Sequence, residues 1–529
     1  MRGCVVFPKK EAFYSALNDS SIDEDEYEHA CAVWVAFKCV NMLEYCELYC
    51  RLDVLLLAEA YENFRSFMFE NVHLDPAYFL GLPSLSFNAM LNMTKVKLEL
   101  LKDITMVDFV ERGLRGGVSF IPNKFVDSKA DNREIKYIDA NNLYGLCQMQ
   151  RLPLNGYYWD ESESLTVEDI QAYDHPNAGT GCFLEVDLDY PTELHKEHSD
   201  FPLCPEKIAV TGAGLSSFSK HQFKQAYRER DVDSYKATKL SPTLCDKRNV
   251  VLHIATLQLY MSLGMQLKTI HRVLGFKQTA FLKMFIEFCT DNRKNANTEW
   301  EKKIWKLLAN ACYGKTIENP KAFIDVKICT SRRMFFRYSN QPNFQSYKVV
   351  NDKIQIFMFK QERVQMNKPF PVGVAILELA KLFMYNYWYN TLVPALKHDD
   401  LVLHLHDTDS FLFSVRKDAF KEKIFCHDDT PLRRSFDFSN LPTEHPMYSS
   451  SKHNVPGFFK CELKWYGMSQ FVGIRSKCYT YKYLKLEKEK VRTKDKKLGV
   501  KGKSKIIRSS KEICKGIKES SRNQLSVSD

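Results

Sequence analysis

The segment LVLHLHDTDSFLF, residues 401–413, joins two short apolar runs through a polar turn. Two strand-like runs separated in this way predict a β-hairpin, with Asp407 and Asp409 at its tip because strand side chains alternate. Carboxylates this close repel each other, so the arrangement favours a hard divalent cation such as Mg²⁺ between them. The alternative is a surface turn that each Asp caps through its own backbone, which is common in Asp-x-Asp sequences.

A third carboxylate, Asp139, stands at the end of a β-prone run, residues 134–138, and precedes a predicted helix or tight turn. If this strand lies beside the hairpin, Asp139 and Asp409 would hold two metal ions roughly 3.5–4 Å apart. At that separation the attacking and leaving oxygens of a phosphoryl group are both stabilised. An ordinary helix N-cap is the other interpretation of Asp139.

The segment TEWEKKIWKLLANACYG, residues 298–314, predicts an amphipathic helix. Its functional side chains recur every three or four residues and therefore share one face: Lys302, Lys306, Asn310 and Tyr313. The side chains predicted to pack inward are Ile304, Leu307, Leu308 and Ala311. Cations one turn apart suit a triphosphate, and an aromatic ring can stack on a base or sugar. A solvated helix face is the alternative.

These three segments resemble, in order and composition, the motifs of family B DNA polymerases. The resemblance is to the protein-primed branch found in linear plasmids, viruses and Polinton or Maverick elements. Residues 139–145 are similar to the palm motif Asp-x-x-Ser-Leu-Tyr-Pro, 306–314 to the fingers motif Lys-x-x-x-Asn-Ser-x-Tyr-Gly, and 407–410 to Asp-Thr-Asp-Ser. Lys477 and Tyr479 match the Lys-x-Tyr motif that grips the primer terminus.

Two further segments resemble the protein-primed branch. Residues 112–117, RGLRGG, are similar to its Tyr-x-Gly-Gly linker, which implies DNA contacts by Arg115, Gly116 and Gly117. Residues 181–207 are similar to the insertion that follows the first palm motif. The chain departs from the usual residues at five positions, none of them a metal ligand: Leu114 for Tyr, Asn142 for Ser, Gly145 for Pro, Ala311 for Ser, and Leu405 for Tyr or Met.

The resemblance implies a mixed α/β, multidomain chain with the palm, fingers and partial thumb of a right-hand polymerase. The expected divisions are a remnant of an RNase H-like 3′–5′ exonuclease domain at 1–75, a linker at 76–130, the first palm part with its insertion at 131–244, fingers at 245–320, the second palm part with the catalytic hairpin at 321–480, and a basic partial thumb or tail at 481–529.

The implied activity is DNA-directed DNA synthesis, in which a primer 3′-hydroxyl attacks the α-phosphate of a dNTP. Asp139, Asp407 and Asp409 would be catalytic, and Asp139 and Asp409 would hold two Mg²⁺ ions, for which Mn²⁺ can substitute. The nucleotide would meet Tyr144 as a steric gate together with Lys302, Lys306, Asn310 and Tyr313. Template-primer DNA and dNTPs are the implied partners, and a terminal-protein primer is left open. The alternative is a catalytically weak remnant that only binds DNA.

Residues 49–53, YCRLD, resemble the last exonuclease motif, Tyr-x-x-x-Asp, on a helix predicted from 43 to 69. The exonuclease also needs an Asp-x-Glu pair and a further Asp, and the acidic run at 23–26 has neither their pattern nor a strand context. Tyr49 is therefore expected as a core relic and Asp53 as a surface relic. The expected consequence is a truncated exonuclease that does not proofread.

Composition and charge narrow the class of protein. At 529 residues and 45% hydrophobic content, the chain should form several domains. No apolar run approaches the roughly 18 residues of a membrane span, and 16 cysteines without a Cys-x-x-Cys pair predict reduced thiols. An intracellular protein is expected, at the nucleus or a viral or mobile-element replication site. Residues 482–529 hold 16 Lys+Arg and 6 Asp+Glu, which equals the net charge of +10 of the whole chain. This tail suits a phosphate backbone, a solvated tail or a nuclear-import signal.

Overall fold

The computed structural model describes residues 6–15, 20–160, 165–227, 231–426, 430–463, 467–488 and 504–514 of the chain. Most of the predicted basic tail, 489–503 and 515–529, lies outside the described residues. Two compact units divide the chain, Met1–Ala89 and Met90–Asp529. Helices and strands are mixed along the second unit, so the predicted α/β class is confirmed.

The helices range from single turns to the 31 residues of α2. In chain order they are α1 (Glu24–Ala36), α2 (Met42–Val72), α3 (Leu82–Thr94), α4 (Ile104–Gly113), α5 (Leu143–Gln148), α6 (Val167–Gln171), α7 (His195–His198), α8 (Ser217–Ala226), α9 (Ile254–Ser262), α10 (Lys283–Asn295), α11 (Glu299–Thr316), α12 (Arg332–Ser339), α13 (Phe370–Tyr387), α14 (Val393–Leu396), α15 (Ala419–Lys421) and α16 (Pro431–Arg434). Within the described residues, no helix combines the length and apolarity needed to cross a bilayer.

The strands pair antiparallel. In chain order they are β1 (Ser119–Phe120), β2 (Phe125–Asp127), β3 (Arg133–Ala140), β4 (Leu152–Trp159), β5 (Thr180–Asp189), β6 (Glu206–Thr211), β7 (Lys236–Ser241), β8 (Lys247–His253), β9 (Gln266–Thr279), β10 (Ile324–Cys329), β11 (Phe344–Asn351), β12 (Ile354–Lys360), β13 (Val402–Asp407), β14 (Ser410–Arg416), β15 (Phe459–Cys461), β16 (Met468–Arg475), β17 (Cys478–Lys488) and β18 (Ser504–Cys514).

The first unit contains α1, α2 and the start of α3. Asn41 caps α2 by accepting a hydrogen bond from the Glu44 N–H, and His73 ends it in the left-handed conformation. An aromatic cluster packs with ring centroids 5.2 to 5.9 Å apart, and its members are Phe7, Phe13, Tyr27, Trp34 and Tyr45. The predicted helix from 43 to 69 is therefore confirmed as part of α2.

The second unit is built around a nine-stranded sheet in the order β1-β13-β14-β3-β16-β17-β18, with β15 also on β3 and β2 on β16. Its central strand β14, SFLFSVR, is buried at every position but the last. A strand covered on both faces needs apolar side chains on both, which explains the unbroken apolar run after the HDTDS turn.

One face of this sheet carries an apolar cluster that includes Leu405, Leu412, Phe471 and Tyr479. The opposite face meets a long helical segment, which continues from α13 through a π-helical turn, Trp388–Leu392, into α14. Tyr387 stacks on Phe459 of β15 with ring centroids 3.9 Å apart. Trp388 packs on Phe411 of β14 with ring centroids 5.2 Å apart, so this helical segment also braces the hairpin of β13 and β14.

Three smaller sheets complete the unit: β4-β9-β5-β8, β6-β7 and β10-β12-β11. β11 and β12 form an antiparallel hairpin. These strands form a separate sheet with β10 and do not join the nine-stranded one. The segment expected to begin the second palm part at 321 therefore opens with an independent small sheet.

Burial of His253 should make the fold acid-sensitive. Its ring is fully buried, Nδ1 accepts a hydrogen bond from the Ala255 N–H at 3.2 Å, and burial lowers its pKa to about 3. The unfolded chain, with an imidazole pKa of about 6.5, binds the proton first, so stability is lost as the pH falls from about 6.5 towards 3. We expect His253→Asn, which keeps a capping acceptor, to reduce the pH slope of the unfolding free energy by up to about 1.4 kcal/mol per pH unit.

Urea unfolding of the wild type and His253→Asn, at pH values from about 6.5 down to about 4.5, measures this slope. His221→Asn is the control, because His221 is exposed on α8. Equal slopes for wild type and His253→Asn would contradict a neutral, buried His253.

Candidate active site

The hairpin predicted at 401–413 is confirmed as β13 and β14, with Asp407 opposite Ser410. Thr408 has a φ of 63°, and its N–H donates to the carbonyl of Val118 at 2.8 Å. The Asp409 N–H donates back to the Asp407 carbonyl at 2.7 Å. The backbone of the tip is therefore fixed on both sides, by its own turn and by the segment that leads into β1.

Strand β3 lies directly beside this hairpin, as predicted. Asp139 is opposite Ser410, and the Ala140 N–H donates to the carbonyl of Asp409 at 2.8 Å. Asp139 and Asp409 are both half-buried at one edge of the central sheet. Two segments that are distant in sequence thus bring their carboxylates to the same place.

Burial and like charge act together on these two carboxyl groups. Burial raises the pKa of Asp139, and the negative charge of Asp409 raises it further. Burial likewise raises the pKa of Asp409, with an added contribution from Asp407. Because each ionised group is disfavoured without a positive partner, this pair of hard oxygen donors fits a divalent cation such as Mg²⁺. Within the described residues, no group of three or more Asp, Glu, His or Cys side chains is arranged to hold a metal ion.

Asp407, the third predicted catalytic acid, is turned towards Lys477. The Lys477 ammonium donates to both carboxylate oxygens of Asp407. Lys477 itself has a φ of 61° in the turn between β16 and β17. The Lys-x-Tyr motif therefore reaches the catalytic edge through its lysine.

Tyr479, the second residue of that motif, is only 3% exposed. It belongs to the apolar cluster under the sheet, and its hydroxyl lies 3.2 Å from that of Tyr137. Direct DNA contact by this ring was expected, but its burial gives it a packing role instead.

The helix predicted at 298–314 is confirmed as α11, which packs against α10 and begins with a capping box between Thr298 and Glu301. Lys306 is exposed and lowers the pKa of Asp139 by its charge, so it faces the carboxylates. The Lys302 ammonium lies 2.9 Å from Oε1 of Glu299. Lys302 is therefore one helical turn away from the position expected for the triphosphate. Of the two predicted cations, Lys306 is the one placed towards the acidic pair.

Asn310 and Tyr313 continue this face towards the palm. The ring of Tyr313 stacks on that of Tyr144 with centroids 4.7 Å apart and planes at 12°. The Oδ1 atom of Asn310 is buried without a hydrogen-bond partner in the described structure. An unpaired buried acceptor is costly, so it marks a position where a ligand donor would be stabilised.

The inward face of α11 differs from the prediction. Trp305, Leu308, Ala309 and Cys312 are buried, whereas Leu307 is 51% exposed. The expectation that Leu307 packs inward is wrong. The buried face lies one position later than predicted, and its bulky Trp305 ring packs against Phe288 of α10.

The Gly-Gly linker contacts the catalytic turn through glycine. A Cβ atom on Gly117 would lie 3.0 Å from Oγ1 of Thr408 and 3.5 Å from the Tyr144 hydroxyl. Open space surrounds the corresponding position on Gly116. The close approach of Gly117 requires a residue without a side chain, which explains this glycine on packing grounds.

Arg115 is placed differently from the expectation of DNA contact. It is 7% exposed, and its Nη2 donates to Oε1 of Glu378 on α13 at 2.6 Å. Lys381 donates to the same oxygen at 2.9 Å. Burial alone would raise the pKa of Glu378, but the two cations hold it at about 2. Arg115 therefore anchors the linker inside the protein, where DNA cannot reach it.

The predicted exonuclease residues lie in the first unit, on α2. Tyr49 is 60% exposed and Asp53 is also exposed. The expectation of Tyr49 as a core position is wrong, and that of Asp53 as a surface position is confirmed. The two side chains share an open helix face, and among the described residues they have no acidic cluster beside them.

Two acids at the site were not predicted. The charge of Glu462 raises the pKa of both Asp139 and Asp409, and its N–H donates to the carbonyl of Tyr137 at 2.9 Å. Asp437 is fully buried and accepts a hydrogen bond from Nδ2 of Asn141 at 2.9 Å. Neither residue has a sequence signal of its own, since only the pairing of β15 with β3 brings their segments to the site.

Gly145, where the palm motif usually has proline, also has a local reason. The side chain of Asn142 lies over it, and a Cβ atom there would come within 2.1 Å of Nδ2 of Asn142. Asn142 itself has a φ of 45° at the start of α5. The two departures from the motif therefore compensate each other, because the glycine makes room for the larger Asn142.

Residues 38–392 match the family described as DNA polymerase type B, organellar and viral. This match covers more than half of the chain, so the chain belongs to the type B DNA polymerases, and the family recognised from the motifs is confirmed. Among the curated proteins, no sequence matches significantly.

Two solved structures share the fold. Phi29 DNA polymerase in an orthorhombic crystal form aligns with a TM-score of 0.50 and 16% identity, over 85% of this chain and 62% of that one. Phi29 DNA polymerase complexed with primer-template DNA aligns with a TM-score of 0.50 and 16% identity, over 87% and 64%. The chain thus spans less than two thirds of the length of these polymerases. Its fold is similar to theirs, as the right-hand polymerase prediction required.

Proposed function

We propose that this protein is a DNA-directed DNA polymerase, which adds deoxynucleotides to a primer 3′-hydroxyl under the direction of a template. The observation that carries the proposal is the meeting of Asp139 and Asp409 at one sheet edge, where burial and neighbouring negative charge raise both pKa values despite the charges of Lys306 and Lys477. Family membership and the fold support the same reaction.

Each residue of the site would have its own role in the reaction. Asp139 and Asp409 would hold two Mg²⁺ ions, or Mn²⁺ in their place, and Asp407 would support them. Bound divalent ions supply electrostatic stabilisation of the charge that develops on phosphoryl oxygens. Lys306 would neutralise the triphosphate, with Lys302 behind it. Tyr144 and Tyr313 would form one wall of the nucleotide pocket, together with Asn310.

The partners proposed are a DNA primer-template and dNTPs. Phi29 DNA polymerase, which shares the fold, was solved with primer-template DNA. Lys477 would meet the primer end after leaving Asp407, and Gly116 and Gly117 would border the DNA path beside the catalytic turn. From the resemblance to the protein-primed branch, we also propose that a terminal protein serves as primer. The setting would be viral, mobile-element or nuclear replication.

A second candidate is a catalytically weak remnant that only binds DNA. The contact of the Lys477 ammonium with both oxygens of Asp407 favours it, since this cation competes for an acid that the reaction needs. The two candidates differ in one outcome, because only the polymerase lengthens a primer.

Primer extension tests the proposal. The purified chain is mixed with a gapped DNA template, labelled dNTPs and Mg²⁺, with EDTA as the control. We expect labelled product that depends on the divalent ion. DNA binding without product in either Mg²⁺ or Mn²⁺ would support the remnant instead.

Tyr144 should act as the steric gate that rejects ribonucleotides. Its ring lies beside the catalytic turn and is held flat against Tyr313. We expect Tyr144→Val to raise ribonucleotide incorporation relative to deoxyribonucleotide by about tenfold or more, since removing the ring frees room for a 2′-hydroxyl and relieves about 1.4 kcal/mol or more of discrimination.

Single-nucleotide kinetics with matched dNTP and rNTP measure the ratio. Tyr144→Phe is the matched control, because it keeps the ring and should keep the ratio. An unchanged ratio in an active Tyr144→Val enzyme would argue against the gate.

A further inference from the structure

The connection between β3 and α5 sets the spacing of two residues of the site. Asp139 is the penultimate residue of β3, Tyr144 is the second residue of α5, and residues 141–142 join the two elements. Asn142 has a φ of 45°, so the chain turns sharply here. The position of the Tyr144 ring relative to the Asp139 carboxylate therefore depends on how firmly this short connection is held.

One segment that is distant in sequence, residues 437–458, holds Asn141 of the connection. The Asn141 N–H donates to the carbonyl of Phe458 at 2.8 Å, and the Asn141 carbonyl accepts a hydrogen bond from the Gly457 N–H at 2.9 Å. The side-chain Nδ2 of Asn141 donates to Oδ2 of Asp437 at 2.9 Å. Both main-chain groups and the amide nitrogen of Asn141 are thus bound to the same segment, which continues into β15 beside β3.

Asp437 is fully buried and joins three parts of the chain. Besides binding Asn141, its Oδ1 accepts a hydrogen bond from the Ser439 N–H at 2.9 Å, and its Oδ2 accepts one from the Asn454 N–H at 3.2 Å. The Lys460 ammonium lies 3.9 Å from Oδ2. Burial alone would raise the pKa of Asp437, but these hydrogen bonds and the charge of Lys460 lower it. Because an ionised carboxylate accepts stronger hydrogen bonds than a neutral group, the Asn141 amide is held firmly.

We propose that Asp437 is a positioning residue for nucleotide addition, which fixes Tyr144 relative to Asp139 by holding Asn141. This role rests on the proposed polymerase activity and on the parts proposed there for Asp139 and Tyr144. Loss of the contact with Asp437 would let the connection shift. A misplacement of about 1 Å is enough to slow an enzymatic reaction by up to about 10²-fold.

Single-nucleotide addition with dNTP and with the matching rNTP tests this role on the full chain. The readout is discrimination, which is kcat/KM for the dNTP divided by kcat/KM for the rNTP. We expect Asp437→Asn and Asn141→Ala each to lower discrimination by roughly three- to tenfold and to raise the KM of the dNTP, because the ring wall of the pocket is misplaced. A variant that only reduced the folded fraction would lower kcat and leave both KM and discrimination unchanged.

Asp127→Asn is the matched control. Asp127 accepts hydrogen bonds from two backbone N–H groups, at 2.8 and 3.0 Å, and from Nε2 of Gln470 at 2.6 Å, a set similar to that of Asp437. It lies in the turn that leads into β3, at the opposite end of this strand from Asp139. Its variant should keep the wild-type KM and discrimination. The double variant Asn141→Ala/Asp437→Asn should discriminate no less than the weaker of its two single variants, since both remove the same contact.

Tyr144→Val, measured alongside, separates the ways in which this role can fail. If it lowers discrimination while folded Asp437→Asn and Asn141→Ala keep the wild-type KM and discrimination, or while Asp127→Asn lowers discrimination as much as they do, the positioning role is refuted. An unchanged ratio in Tyr144→Val refutes the gate and this role together. A wild type that adds no nucleotide refutes the polymerase activity itself. Circular dichroism melting shows which variants fold, and Asn141→Ala, which leaves Asp437 its other partners, is sufficient if Asp437→Asn does not fold.

Discussion

Asp409→Asn and Asp139→Asn should each lower the rate of primer extension by about 10³-fold or more. Asn keeps the size of the side chain but removes the negative charge on which cation binding depends. Each acid is half-buried beside the other, and its pKa stays raised despite the charge of a lysine, Lys306 for Asp139 and Lys477 for Asp409, so another residue cannot easily replace the lost charge. DNA affinity should change little, because phosphate contacts are made by cations.

Single-turnover extension and fluorescence anisotropy measure the rate and the affinity separately. Asp399→Asn is the matched control, because Asp399 is an exposed acid in the turn before β13 and should leave the rate unchanged. Extension by Asp409→Asn at the wild-type rate would remove this acid from the reaction.

Arg115→Met should destabilise the second unit by about 3–5 kcal/mol, the usual cost of leaving a buried charge without its partner. Glu378 is fully buried and would keep only Lys381, since the Arg115 guanidinium is its closest cation at 2.6 Å. Urea denaturation followed by tryptophan fluorescence measures the loss. The urea midpoint should fall strongly, because a loss of this size approaches the total unfolding free energy of a typical domain.

Arg248→Met is the matched control for this variant. Arg248 also pairs with two acids, Asp189 and Asp246, but its side chain is 50% exposed. Exposed pairs contribute about 0–1 kcal/mol, so the midpoint should hardly move. Similar midpoints for the two variants would contradict the buried anchor at Glu378.

Much of the catalytic edge could be predicted from the sequence, because its parts are local patterns. The HDTDS turn between apolar runs predicts a hairpin by period and turn chemistry alone. The stripe from Lys306 to Tyr313 predicts one helix face from its spacing. The pairing of β3 with β14 joins segments that are distant in sequence, and the polymerase resemblance implied it. The observed register, with Asp139 opposite Ser410, agrees with that expectation.

The remaining features depend on tertiary contacts that leave no local pattern. The resemblance to the polymerase linker implies DNA contact by Arg115, yet its guanidinium pairs with Glu378 on a helix distant in sequence. Tyr479 is buried because β16 and β17 fold over the central apolar cluster. Glu462 reaches the acidic pair only through the pairing of β15 with β3. Propensity and spacing describe neighbours in sequence, and these residues have their partners elsewhere.

The most direct test of the central claim is single-nucleotide addition to a primer whose next template base is varied. The purified chain is given one dNTP at a time with Mg²⁺, and the primer is resolved by length. The account predicts that only the dNTP complementary to the template base extends the primer, and that Asp409→Asn abolishes this product. Primer that stays unextended by the wild type with every dNTP, while the DNA remains bound, would contradict it.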